Sequence, residues 1–216
     1  MTLRSTVQKT KLVDLSDEQI VYCHLLAGHH IKLPDFKVET SLEYIETEMR
    51  QSRGRDLTSR YVPMMAAFAI LDQIGGTYRN PTLAPAQANT PAIKKALYNF
   101  GGYSLTDPIV VSLYALRNAL VHDAALTGHD LKKQNWYIYR FNHDMDDMIR
   151  LPALGWDGDP QTLTPDRVTW INPRLFTESV SDLLRGLRDS FEADQASISI
   201  EVPGHEIVQK YLFWTR

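Results

Sequence analysis

What this chain of 216 residues lacks narrows the reading before any motif does. Cys23 is its single cysteine, so no intramolecular disulfide framework exists, and the usage suits a reducing cytoplasm. A lone cysteine in an apolar stretch is ordinarily a small buried hydrophobe, the alternative being a reactive thiol. Long apolar runs are missing too. The longest, residues 62–71, is half of the roughly 20 residues needed to cross a bilayer, and the N-terminus has no apolar secretion block. A cytoplasmic protein with no membrane span is the expectation. Positive charge is not in excess. A net charge of −3 argues against broad wrapping of nucleic acid, where Lys and Arg supply most non-specific affinity, yet it allows a small basic site. There is no Walker phosphate loop, no Gly-x-Gly-x-x-Gly, no His-Glu-x-x-His and no Gly-x-Ser-x-Gly elbow. The commonest nucleotide, zinc and serine-hydrolase readings fall away, and no cofactor or metal is called for.

Hydrophobic residues make up 44% of the chain, enough for an ordinary packed core. The best-patterned stretch is residues 107–123. Asp107 can cap a helix that Pro108 opens, and Ile109, Leu113, Leu116 and Leu120 recur at helical spacing. The same helix delivers Arg117, Asn118 and His122 to its last turns. Asn118 and His122 are i and i+4, on one face, while Arg117 is about 140° around and about 7.5 Å below His122, an offset a flexible arginine can cover. The negative end of the helix dipole favours a charged imidazole. A proton-exchanging histidine beside a permanent cation suits phosphoryl chemistry: one moves a proton, the other neutralises charge in the transition state.

Around this helix the pattern is mostly helical. Ser16 and Gln19, then Thr40 and Glu43, have capping-box spacing. The first starts a short helix within an N-terminal arm, residues 1–38, and the second starts a helix running up to Gly54. A further helix spans residues 59–74 and should end at Gly75-Gly76; a short one runs from Pro91 to Gly101-Gly102; a long one runs from Asn172 to about Glu192. Asp72 is unusual near the end of an apolar run. It is either an exposed edge residue or a carboxylate supporting Arg117 or His122, a role open also to Asp123. Aromatic, β-forming residues 136–141 and the runs 148–151 and 167–171 predict a small antiparallel hairpin or meander, an insert at about 135–171. The apolar tail, residues 207–214, needs burial against this chain or a second copy.

Three other clusters invite function. Arg50, Arg53, Arg55 and Arg60, opposed only by Asp56, form either a solvated helix end or a phosphate-contacting patch. His24, His29 and His30 lack acidic or cysteine partners at ligand spacing, and His143, Asp144, Asp146 and Asp147 fall in a turn where charge is ordinary.

The stretch Leu-Arg-Asn-Ala-Leu-Val-His-Asp, residues 116–123, resembles the HEPN motif: arginine and histidine with four to six residues between them at the end of a core helix. Arg117 and His122 are the only such pair in the chain, and a polar residue follows the arginine as in that family. The resemblance covers roughly residues 40–125 and 172–195. It implies a mainly α fold, a four- to five-helix HEPN-like bundle over residues 39–216 carrying the small antiparallel β insert. It also implies a homodimer that brings two motifs together, and a metal-independent endoribonuclease of toxin–antitoxin or anti-phage defence type, with a protein antitoxin or defence partner. In that reading Arg117, Asn118 and His122 are catalytic, Asp72 and Asp123 support them, and Arg50, Arg53, Arg55 and Arg60 bind RNA. The alternative is a non-catalytic dimeric module that uses the motif only to tie down a helix end.

Overall fold

The computed structural model describes residues 2–55, 59–130 and 135–216. In chain order these form α1 (Leu3–Val7), α2 (Asp17–Leu25), β1 (Ile31–Lys32), β2 (Lys37–Thr40), α3 (Ser41–Ser52), α4 (Val62–Thr77), β3 (Tyr78–Arg79), α5 (Ala92–Phe100) and α6 (Pro108–Asp123). Then follow β4 (Thr127–Asp130), β5 (Asn135–Phe141), β6 (Ile149–Arg150), β7 (Thr169–Ile171), α7 (Pro173–Ala193), β8 (Ser199–Ile200), α8 (Gly204–Tyr211) and β9 (Leu212–Thr215).

The expected mainly helical bundle with a small antiparallel insert is not what forms. About half of the chain is helical, in eight helices among the described residues, but three sheets are built into it, and the fold is α/β. Two sheets join distant segments: β2 pairs antiparallel with β9, and β3 with β8. The third has the order β4-β5-β7-β6 and is mixed, because β5 and β7 run parallel. A parallel pair needs a crossover, and residues 142–168 supply it. The tail read as an apolar segment in need of burial is α8 followed by an edge strand, β9, with Leu212 buried and Phe213 and Trp214 exposed. In residues 1–38, α2 is capped by reciprocal Ser16–Gln19 bonds, and its Val21, Cys23 and Leu25 belong to the same hydrophobic cluster as α3 to α7.

α4 is the central helix. Met64, Ala67, Phe68, Ile70, Leu71 and Ile74 are fully buried, while Val62 and Met65 near its start stay exposed. Gly75-Gly76 was expected from the sequence to end it and does not. A Cβ at Gly75 would fall 1.8 Å from the Ala92 carbonyl oxygen, so this glycine lets α4 and α5 cross with backbones nearly touching, and the helix runs on to Thr77. Thr40 caps α3 through the Leu42 N–H, but Glu43 does not close the second expected capping box; its carboxylate turns instead to Arg188 of α7, at 3.4 Å.

α6 forms as its pattern dictates. Asp107 accepts from the Ile109 N–H at 2.8 Å, and Leu113, Leu116 and Leu120 are buried, each contributing roughly 2 kcal/mol of transfer free energy. It stops at Ala124, the one described non-glycine residue with positive φ (52°), whose left-handed turn sends the chain back along α6 as β4. There Gly128 lies against Ala119, where a Cβ would sit 3.6 Å from the alanine methyl. The sheet thereby becomes a wall beside the end of α6.

Candidate active site at the end of α6

The C-terminal half of α6, the end of α4, the start of α5 and the β4–β5 pair enclose an open cleft of about 1140 Å³. Arg117, Asn118, His122 and Asp123 line one side, and Asp72 reaches in from α4. Lys94, Tyr114, His129 and Tyr137 complete the lining that matters chemically.

Arg117 is the hub. Its Nε and Nη2 both donate to Asp72 Oδ2, at 2.9 and 2.7 Å, and its Nη1 donates to Asn118 Oδ1 at 3.2 Å and to His122 Nε2 at 2.8 Å. A guanidinium has only N–H donors, so His122 Nε2 is the acceptor and the ring in this arrangement is neutral, with its proton on Nδ1. Asp72 is no ordinary edge carboxylate: it fixes the plane of the guanidinium from a helix 45 residues earlier. Arg117 and Asp72 are each more than two-thirds buried, whereas His122, in the same cleft, is exposed. Asp123 lines the cleft, but among the described residues it makes no ion pair with Arg117.

The arginine cluster stands elsewhere. Arg50, Arg55 and Arg60 are exposed and none lines the cleft. Arg60 precedes α4, about 15 Å of helix from Asp72 at its far end. Arg53 is spent on the fold: its Nη2 donates to the Thr177 carbonyl at 2.6 Å and to Ser181 Oγ at 3.0 Å, clamping the end of α3 to α7, and burial pulls its pKa down. Asp56, their counter-charge in sequence, lies outside the described residues.

The remaining candidates are divided between core and surface. Cys23 is buried and desolvation pushes its thiol up to about 12, so little thiolate forms near neutrality. His24 is fully buried between Tyr78 and Gln73, while His29 approaches Glu43 at 4.0 Å. Among the described residues no three His, Cys, Asp or Glu side chains gather as a metal site would require.

Four cleft residues escape a reading of the sequence alone. Tyr114 could have been found, since it precedes Arg117 by three residues and shares its side of the helix. Lys94, whose ammonium lies 5.3 Å from the centre of the Tyr114 ring, comes from α5, and His129 and Tyr137 come from the sheet. Nothing local marks them.

No helix among the described residues is long and apolar enough to cross a membrane. Compared with family models, with curated proteins and with solved structures, the chain has no match.

Proposed function

We propose that the protein is a metal-independent endoribonuclease. The observation that carries this reading is the 2.8 Å contact between Arg117 Nη1 and the exposed His122 Nε2 in an open cleft. An unprotonated imidazole nitrogen and a guanidinium N–H meet at one point, where a phosphodiester could come between them. Arg117 Nη1 then turns to a phosphate oxygen and His122 Nε2, released, takes the proton of the adjacent ribose 2′-hydroxyl. That oxygen attacks phosphorus, the bond from phosphorus to the 5′-oxygen breaks, and the products are a 2′,3′-cyclic phosphate and, once that oxygen gains a proton, a 5′-hydroxyl. Asn118 and Asp72 keep the guanidinium in place meanwhile, so little reorganisation is needed as charge develops. Tyr114 and Tyr137 in the same cleft offer faces on which bases can stack.

The resemblance of the motif to that of HEPN proteins supports the same reading and extends it. Two copies pair through α6, whose Val121 is exposed beside His122, and the protein serves a cytoplasmic toxin–antitoxin or anti-phage role with a protein partner that holds it in check. Arg50, Arg55 and Arg60 carry the RNA backbone beyond the cleft.

One observation favours a second reading, a non-catalytic dimeric binding module. Four of the five N–H groups of Arg117 are engaged within the chain, as in a brace for a helix end. Incubating purified protein with total RNA in EDTA separates the two. Cleavage by the wild type that is lost in both Arg117→Ala and His122→Ala supports the enzyme; equal cleavage by His122→Ala, or cleavage only with added magnesium, overturns it.

A further inference from the structure

Attack by a 2′-hydroxyl is half of a proton balance, because the departing 5′-oxygen must gain a proton as His122 takes one. The cleft holds a second imidazole. His129 lies on β4, which the Gly128–Ala119 contact presses against α6, and it lines the same cleft as His122 from the sheet side. Its ring is stacked on the indole of Trp136, centroids 4.3 Å apart and planes within 8°. Trp136 is itself held from behind. Trp156 meets it edge-on at 5.8 Å, and Gly158, at φ 92°, passes so close that a Cβ there would come within 2.7 Å of the indole. His129 is therefore oriented by stacking. Among the described residues neither of its ring nitrogens has a hydrogen-bond partner. The two rings are prepared differently. His122 Nε2 faces an arginine N–H and must be bare, whereas His129 faces an indole, a surface that attracts cations, imidazolium among them. Among the described residues the other charged groups lining the cleft are Asp72, Lys94, Arg117 and Asp123.

We infer that His129 is the general acid of this site, giving its proton to the leaving 5′-oxygen while His122 accepts that of the 2′-hydroxyl. The proposal rests on the RNA-cleavage reading. The 2′-oxygen forms its bond to phosphorus, the bond from phosphorus to the 5′-oxygen breaks, and the proton from His129 completes a 5′-hydroxyl. His122 ends protonated and His129 neutral, and exchange with water restores both. Both halves of the proton transfer then come from one copy of the chain, and pairing of copies serves RNA binding rather than completing the acid–base pair.

The test uses two RNA oligonucleotides spanning a cut site mapped with the wild-type protein. One is natural, and the other carries sulfur in place of the bridging 5′-oxygen, a leaving group that departs without protonation. His129→Phe keeps a ring on Trp136 but cannot move a proton. It is expected to cut the natural RNA about 10²- to 10³-fold more slowly than wild type and the thio-substituted RNA within a few-fold of it. His122→Ala is expected to be slow on both. Wild-type rates for His129→Phe on natural RNA, or an equal loss on both substrates, overturn the role of His129. A wild-type protein that cuts neither RNA, or full activity in His122→Ala, overturns the RNA-cleavage reading itself. Matching thermal unfolding of His129→Phe and wild type shows that both carry the same fold.

Discussion

Arg117 lays its Nε and Nη2 on a single oxygen of Asp72, at 2.9 and 2.7 Å, and this joins the end of α6 to the end of α4. The geometry leaves Nη1 as the edge that faces His122. A partly buried carboxylate thus decides which way the motif arginine points.

Asp72→Ala should therefore act twice. Losing a charge-assisted pair that is more than two-thirds buried on both sides should cost about 1–2 kcal/mol in urea unfolding. Any RNA cleavage should fall at least about tenfold as the guanidinium loses its fixed plane. In a double-mutant cycle with Arg117→Ala the two substitutions should be clearly non-additive in stability; additive effects would mean that the pair carries no energy.

The glycines of α4 and α7 should respond in opposite directions. At Gly75 a methyl group would strike the Ala92 carbonyl, so Gly75→Ala should destabilise by several kcal/mol or prevent folding. Gly186, within α7, has open space around its Cα, and Gly186→Ala should stabilise by about 0.5–1 kcal/mol through helix propensity alone. Chemical denaturation of both variants checks the pair.

Ala124 holds a left-handed conformation that costs an L-residue roughly 1–2 kcal/mol, while glycine adopts it freely but has more entropy to lose from the unfolded chain. Ala124→Gly should consequently raise stability by about 0.5–1 kcal/mol. The measurement is the urea midpoint at unchanged m-value.

His24 should make the fold acid-sensitive. Gln73 Oε1 can only accept, so Nε2 carries the proton and Nδ1 accepts from the Tyr78 hydroxyl, at 2.6 Å. Burial, the largest cause, lowers its pKa from 6.5 to about 4. Between those two values the unfolded chain binds a proton that the folded one refuses. Stability from this group is thus complete above pH 6.5 and declines as pH falls towards 4, by a total of roughly 3 kcal/mol. Unfolding free energies from pH 7.5 down to 4 should show that slope in the wild type and a shallower one in His24→Gln.

Local signals survived folding well. The expected helix over residues 107–123 is α6, Pro108–Asp123, and the one from Asn172 to about Glu192 is α7, Pro173–Ala193. Both are long, capped by a side chain and periodic, so neighbouring residues alone suffice to specify them. The three aromatic or apolar runs between them did become β5, β6 and β7, but the parallel pairing of β5 with β7 could not be read from runs that differ only in order along the chain. Strands of two to four residues such as β1, β2 and β3 carry too little alternation to show at all. Gly75-Gly76 misled because a glycine that ends a helix and one that admits another backbone look alike in sequence.

By itself the sequence determined that one helix would bury Leu113, Leu116 and Leu120 and carry Arg117, Asn118 and His122 to its end, because helical period and capping depend on residues a few positions apart. Only the tertiary structure decided that Arg117 would be aimed at His122 by Asp72, and that His129 and Tyr137 would wall the cleft. Those partners lie on separate elements. What brings them to α6 is burial of α4, the backbone crossing at Gly75 and the reversal at Ala124, and these take effect only when the whole core closes.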